Sequence, residues 1–386
     1  MNKVIAFLVS LCVVLSLVGC ATAPTVAEDT ILVGCILPLS GTSAYDGESA
    51  MNGAKAAANY INENGGIAGG KKIELIFEDS ATDPNTAASA AEKLISYDGV
   101  KVLVGAFNSS CTAAVQPVAE SNKIPLITAI ATSGTLTEKG YKYFFRAVGI
   151  SNLYIDAFAG KIIDELGIKK IAYIYENGDW GLGSVNTFKE YAELHGAETT
   201  TVQVVNKEDA DLYTQLTAIK ESKPDAVYAV SNLANAVRIA VQKQELGIEC
   251  PIIGEGSWAS GDFLKQAGAA AEGVYGMVEY LPDIKTEMNP LFTELYGAVT
   301  NGKAPDKYAA CEFNAVLVVA NGIDNAIDPD DPTSIRDALK DTDINMLTGP
   351  IKFDENGQGY GFEVFLSQNE EGMAVCAGST TVSLQR

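Results

Sequence analysis

The sequence predicts an α/β protein of two doubly wound, Rossmann-like lobes. Short β-branched apolar runs alternate with helix-periodic segments along most of the chain. That is the pattern of parallel strands buried on both faces and joined by crossover helices. The alternation restarts after Tyr143-Phe144-Phe145-Arg146, and the chain of 386 residues is longer than the roughly 250–300 residues that one hydrophobic core usually serves.

Ahead of the first strand lies a targeting segment. Lys3 precedes an apolar run from Val4 to Val18, which closes with Leu17-Val18-Gly19-Cys20. The run is short for a membrane span and is followed by a small residue before a cysteine. This pattern resembles the bacterial lipoprotein signal, which implies cleavage before Cys20 and a lipid on its sulfur. Residues 1–19 are therefore expected to be a signal peptide. Residues 20–29, which include the aperiodic ATAPTVAED, read as a flexible tether.

The first strand is expected from Ile31 to Leu37, and a helix from Ser49 to Asn62 stops at Asn64-Gly65-Gly66. A strand from Lys72 to Phe77 and a helix from about Thr86 to Ser96 follow. Between Val100 and Thr137 lie two strands, in V-K-V-L-V-G-A-F-N-S-S-C-T and I-P-L-I-T-A-I-A-T-S-G-T-L-T, with a helix from about Thr112 to Ser121 between them. Each strand empties into hydroxyls and small residues. In an open α/β sheet the ligand crevice lies at such carboxyl ends, where the next helix points free N–H groups. The same hydroxyls can also simply cap the helix.

The second lobe is expected to hold a helix from Leu153 to Leu166, a strand from Lys170 to Tyr175, the loop E-N-G-D-W-G-L-G and a helix from Ser184 to Leu194. Strands Thr200 to Val204, Ala226 to Val230 and Pro251 to Ile253 alternate with helices Ala210 to Ser222 and Ala234 to Leu246. A loop G-E-G-S-W-A-S-G then opens another strand end. From about Val274 the chain is read as returning to the first lobe. There it forms a strand to Tyr280, helices Pro290 to Asn301 and Ala309 to Ile327, a helix from near Thr333 and a closing hairpin.

A net charge of -22 argues against nucleic-acid binding, which needs clustered Lys and Arg. Beyond Cys12 and Cys20, the cysteines are Cys35, Cys111, Cys250, Cys311 and Cys376, an odd number without a C-x-x-C, so a disulfide or zinc framework is not expected. They read as buried small hydrophobes. No catalysis is expected: phosphate-cradling, serine-hydrolase and zincin motifs are missing. The single histidine, His195, precedes a helix-ending glycine, where it suits an exposed partner of the helix dipole rather than a catalytic base. No metal and no cofactor are expected.

The run S-G-T-S-A-Y-D-G-E-S-A-M-N-G-A-K-A-A-A-N-Y-I-N-E-N-G-G-I resembles the extracytoplasmic substrate-binding proteins of branched-chain amino acid ABC transporters. The likeness continues through E-D-S-A-T-D-P-N-T-A, G-A-F-N-S-S-C-T, P-L-I-T-A-I-A-T-S, E-K-G-Y-K-Y-F-F-R and L-T-G-P-I-K-F-D-E-N-G. It implies the type I periplasmic binding protein fold: two lobes joined by a three-strand hinge that close on a small ligand. On this basis residues 30–147 are lobe 1, 148–276 lobe 2 and 277–364 lobe 1 again. Residues 365–386 are a hinge strand and a C-terminal segment returning toward lobe 2. The implied partners are a small carboxylate-bearing ligand, a membrane permease and the membrane itself through the lipid on Cys20. The protein is expected to be an extracytoplasmic monomer.

By position, the resemblance gives Ser109, with Ser110 beside it, the ligand carboxylate, and Phe107 a backbone contact. Ile130 and Thr132 match the carbonyl and hydroxyl that hold the ammonium. Tyr45 and Asp46 fall in the loop that reaches the ligand side chain, while Trp180, Asn232 and Tyr308 match aromatic lining positions. From Ala106 to Thr137 the only basic residue is Lys123, at the far end of its strand. An anion here would be held by hydroxyls and helix N–H groups without a cationic clamp. In Gly254-Glu255-Gly256-Ser257-Trp258, alignment on the tryptophan puts Gly256 at the family's ammonium-pairing acid and Glu255 one residue early, and a one-residue slip would restore Glu255. Without it, a neutral amide or aromatic acid becomes the alternative ligand. A sensory module of the same fold is a further alternative. The family's lobe 1 disulfide has no cysteines at the matching places, Asn108 and S-A-T-D-P.

Overall fold

The computed structural model describes residues 29–383. The proposed signal peptide, Cys20 and the tether up to Glu28 lie outside the described residues. The first lobe opens with β1 (Thr30–Leu37), α1 (Ala44–Glu63), β2 (Lys72–Asp79), α2 (Pro84–Lys93) and a π-helical turn at Leu94–Asp98. It continues through β3 (Val102–Gly105), α3 (Ser109–Asn122), β4 (Leu126–Thr128), α4 (Thr135–Glu138) and β5 (Phe144–Arg146). These strands make a parallel sheet in the order β2-β1-β3-β4-β5. The order reverses at β1 and β3, the switch point at which an α/β crevice opens.

The second lobe runs α5 (Ser151–Glu165), β6 (Lys170–Glu176), α6 (Asp179–Leu194), β7 (Glu198–Val205), α7 (Tyr213–Ser222), β8 (Ala226–Ser231), α8 (Leu233–Glu245), β9 (Ile252–Gly256), α9 (Gly261–Ala267) and β10 (Tyr275–Val278). Its parallel strands stand in the order β7-β6-β8-β9-β10, which repeats the order of the first sheet strand for strand. The chain then adds α10 (Asn289–Thr300), α11 (Lys307–Asp324), α12 (Pro332–Lys340) and a small antiparallel sheet of β11 (Ile344–Met346), β12 (Gly349–Phe353) and β13 (Gly359–Tyr360) to lobe 1. Finally β14 (Glu363–Glu370) and β15 (Met373–Thr381) extend the second sheet antiparallel from β10. The lobes are thus joined at residues 147–150, 279–288 and 361–362.

Two assignments shift. β10 pairs with β9 and β14 in the larger sheet, so the return to lobe 1 follows Val278 rather than Gly276. The hairpin gives way at Gly361, whose φ of +105° allows the turn that sends β14 into the other lobe.

The core of lobe 1 lies on both faces of its sheet. α1 and α11 pack together on one face, where a Cβ on Gly53 would stand 2.0 Å from the Ala309 carbonyl oxygen. Only glycine lets these helices approach so closely. Asp83, Asp306 and Asp331 cap α2, α11 and α12 by accepting from backbone N–H groups, as sequence chemistry favours. The N-termini of α3 and α6, by contrast, have no side-chain cap.

All five cysteines in the described residues are free. Cys35, Cys111 and Cys311 are buried, but Cys250 is half-buried and Cys376 exposed on the edge strand β15, so the buried-hydrophobe expectation fails for these two. His195 is exposed at the C-cap of α6 and stacks on Tyr191 at 4.5 Å. No helix among the described residues is long and apolar enough to cross a membrane.

Candidate functional site

The carboxyl ends of the two parallel sheets face each other across a cleft with an empty volume of about 590 Å³. Phe107, Ser109, Ser110, Ile130, Thr132, Trp180, Asn232, Glu255 and Tyr308 all line it.

On the lobe 1 side, β3 ends at Gly105 and the chain turns sharply into α3. Phe107 takes a left-handed φ of +66°, an uncommon conformation for a bulky residue, and its ring packs on Tyr308 at 5.0 Å between centroids. Thr112 pins the turn: its hydroxyl accepts from the Ala106 N–H at 3.0 Å and donates to the Asn108 carbonyl at 3.1 Å. Ser109 and Ser110 are the first two residues of α3, not loop residues as the expected start near Thr112 implies. Their N–H groups belong to the uncapped helix end, which attracts anions. The Ser109 hydroxyl accepts from the Ser133 N–H at 3.3 Å, so its own proton remains available to a ligand.

On the lobe 2 side, Glu255 is nearly fully buried and takes five hydrogen bonds. Oε1 accepts from Ser151 Oγ at 2.7 Å, Trp180 Nε1 at 2.7 Å and Thr132 Oγ1 at 3.1 Å. Oε2 accepts from Ser184 Oγ at 2.6 Å and the Tyr228 hydroxyl at 3.3 Å. All five donors are neutral, and none of the ion pairs among the described residues includes Glu255. The site therefore holds a buried carboxyl group with no ion-pair partner; Lys307, paired with Glu279, acts on it only through space.

Glu255 lies inside β9, beyond the expected strand end at Ile253, in register with Val230 on one side and Met277 on the other. Glu255 thereby faces Thr132 across the cleft. Gly256, at φ +120° with a notional Cβ 2.0 Å from the Ser231 carbonyl oxygen, supplies the backbone turn.

Trp180 stands in the first turn of α6, since that helix begins at Asp179 rather than Ser184. Asn232 precedes α8, and its N–H and side-chain amide donate to the buried Glu176 at 3.0 and 3.1 Å. Burial raises the Glu176 pKa despite these amide donors. Glu279 and Lys307 pair at 2.9 Å on the hinge side of the cleft, both largely buried.

Tyr45 and Asp46 do not line the cleft. Tyr45 is 45% exposed, and burial of its hydroxyl followed by a hydrogen bond to Asp262 of the opposite lobe raises its pKa. Asp46 is buried between the lobes in the first turn of α1, where it accepts from Ser257 Oγ at 3.2 Å; Ser257 also meets the Tyr308 hydroxyl at 2.9 Å. These are lobe-to-lobe contacts because α1 begins at Ala44 and carries both residues toward the rim.

Burial, then the nearby charge of Asp306, pushes the Asp46 pKa up to about 8. Closing the lobes over an ionised Asp46 is therefore unfavourable, and closure takes up a proton between the usual carboxylate pKa and pH 8. Ligand affinity should fall as pH rises over this window, by up to about tenfold per pH unit. Asp46→Asn should flatten that dependence in calorimetric titrations at pH 6, 7 and 8.

Ser151, Ser184, Tyr228, Glu176 and the Glu279–Lys307 pair carried no sequence motif. Only Ser184 was accessible in principle, since it lies one helical turn after Trp180 and so on the same face of α6.

A two-lobed α/β chain that converges a helix N-terminus and an unpaired carboxylate on a central cleft is built to hold a small polar solute. The chain belongs to the periplasmic binding protein family, whose profile matches residues 30–368. It is 29% identical over 342 residues to the leucine-, isoleucine-, valine-, threonine- and alanine-binding protein of Pseudomonas aeruginosa, covering 88% of this chain and 90% of that one. A branched-chain amino acid transporter substrate-binding protein of Streptococcus pneumoniae, solved with isoleucine, superposes with a TM-score of 0.82 at 26% identity, covering 92% of this chain and 99% of that one. An ABC transporter solute-binding protein of Rhodopseudomonas palustris, solved with 3,4-dihydroxybenzoic acid, gives 0.82 at 25% identity, covering 92% and 98%. The fold is the type I periplasmic binding protein fold, and these relatives are binding components of transporters rather than enzymes.

Proposed function

We propose that this protein is an extracytoplasmic solute-binding protein that captures a branched-chain or other apolar α-amino acid by lobe closure. It delivers the ligand to the permease of an ABC transporter while tethered through lipid on Cys20. The observation that carries this reading is Glu255, a buried carboxylate without an ion-pair partner, opposite the uncapped N-terminus of α3. An α-amino acid is a zwitterion that complements both: its ammonium meets Glu255, Thr132 and the Ile130 carbonyl, and its carboxylate meets Ser109, Ser110 and the α3 N–H groups. Phe107 and Tyr308 offer apolar surface to its side chain. The likeness to the Pseudomonas and Streptococcus proteins supports the same ligand class.

A second reading is an aromatic acid. It is favoured because Glu255 already accepts five hydrogen bonds, one from Trp180, and because the Rhodopseudomonas protein holds a dihydroxybenzoate. Thermal-shift screening separates the two. Leucine, isoleucine and valine at about a thousandfold over a micromolar Kd should stabilise the protein by about 4 kcal/mol, whereas benzoates should not. A shift with benzoates and none with any α-amino acid would reverse the assignment. Ser109→Ala should weaken binding by about 1.5–3 kcal/mol, the worth of a hydrogen bond to a charged group; unchanged affinity in calorimetry would remove Ser109 from the site.

A further inference from the structure

Arg146, at the end of β5, is fully buried. Its Nε donates to Gln358 Oε1 at 2.6 Å, Nη1 to the Ser133 carbonyl at 2.5 Å and Nη2 to Thr137 Oγ1 at 2.7 Å. Every one of these partners is neutral. Asp354 and Glu138 act on it through space, but neither forms an ion pair with it. An arginine cannot escape burial by releasing its proton, and a buried charge without a counter-ion is costly. Lobe 1 thus holds a buried cation with no anion in direct contact.

Its position gives that cation a purpose. Arg146 holds Ser133 by the carbonyl, and the N–H of the same residue fixes the Ser109 hydroxyl at 3.3 Å. The guanidinium therefore stands one residue behind the wall formed by Ser109 and the N-terminus of α3, whose own donors are neutral; the cleft lysines Lys207 and Lys307 stand on other segments. We propose that Arg146 is the positioning residue of the anion wall: a buried positive charge that draws a ligand carboxylate to Ser109 from behind and locks Ser133 against that serine. This rests on a carboxylate docking at Ser109, which the amino-acid and aromatic-acid readings share. It supplies the cationic clamp that residues 106–137 lack. Charge acts at this range because the interior screens poorly.

The test compares carboxylates with their amides, using leucine against leucinamide and benzoate against benzamide, by calorimetry. Wild-type protein should prefer the carboxylate of whichever pair it binds. Arg146→Gln should lose roughly tenfold in affinity for the carboxylate with little change for the amide, and Arg146→Lys should retain much of the preference. Should Arg146→Gln fail to fold, Thr137→Asp neutralises the guanidinium in place from its half-buried position in α4 and should cause the same selective loss. Equal losses for carboxylate and amide in these variants would make Arg146 a structural anchor only and overturn the inference. A wild-type protein indifferent to the exchange would overturn both the carboxylate wall and the inference.

Discussion

Glu255→Gln should lower affinity for an α-amino acid at least a hundredfold and leave the protein folded. Glutamine keeps the shape of the side chain, and the surrounding hydroxyls of Thr132, Ser151, Ser184 and Tyr228 can turn to donate or accept. What is lost is the negative charge. A ligand ammonium would then be desolvated against neutral groups only, at a cost of about 3–5 kcal/mol, the range for breaking a buried ion pair. The same variant should bind an aromatic acid as well as wild type or better, because no ammonium is involved. Glu255→Ala should behave differently, since it strips five donors of their acceptor at once and should lower the unfolding temperature of the unliganded protein as well. Calorimetric titration with leucine and benzoate, beside thermal unfolding, reads all three outcomes. Leucine affinity that survives Glu255→Gln within a few-fold would remove the ammonium from this wall.

The second large effect lies away from the cleft. Glu312 sits on the buried face of α11, 1% exposed, and both of its carboxyl oxygens lack a hydrogen-bond partner. Burial alone pushes its pKa up to about 8. The folded protein therefore keeps a proton on Glu312 that the unfolded chain releases near pH 4.5. Stability from this group is complete below that pH and declines as pH rises toward 8, by about 1.4 kcal/mol per unit and on the order of 4–5 kcal/mol in all. Glu312→Met, of similar length and without the charge, should be several kcal/mol more stable than wild type at pH 8. Near pH 4.5 the difference should be small. Urea unfolding of the ligand-free protein at pH 5, 6.5 and 8 should show wild type losing stability more steeply than the variant. Asp46, whose pKa rises where the lobes close over it, is present in both proteins and contributes equally to their profiles. Parallel pH profiles would mean that Glu312 ionises in the folded protein as readily as in the unfolded chain, and would overturn the prediction.

The alternating strands and helices, the two lobes and the cleft wall around Ser109 were legible from periodicity, because strands buried on both faces must be apolar throughout and crossover helices amphipathic. Helix starts were not. α3 and α6 begin several residues ahead of their expected starts because Ser, Asn, Asp and Gly fit a first helical turn as readily as a loop. That ambiguity moved Ser109, Ser110 and Trp180 from loops onto helix ends. Glu255 was assigned to a loop because glycines flank it, yet Gly254 and Gly256 belong to β9. Tyr45 and Asp46 were carried to the cleft by resemblance and lie at the rim instead. The partners of Glu255 come from α5, α6 and β8 as well as from lobe 1, and three-dimensional convergence of common hydroxyl residues leaves no mark in linear spacing. Arg146 was visible only as the last residue of F-F-R.

The two sheets share one strand order, so β4 and β9 occupy corresponding places, as do β3 and β8. Thr132, just past β4, and Glu255, in β9, are therefore counterparts, as are the chain after β3 that carries Ser109 and the chain after β8 that carries Asn232. Two identical halves would enclose a cavity with like ends, suited to a solute with like ends. Divergence at these few counterparts gives the cavity a head and a tail, and so fixes which way round an asymmetric solute must lie. A change of solute then needs substitutions at the strand tips of one half only, while the framework of both halves stays untouched.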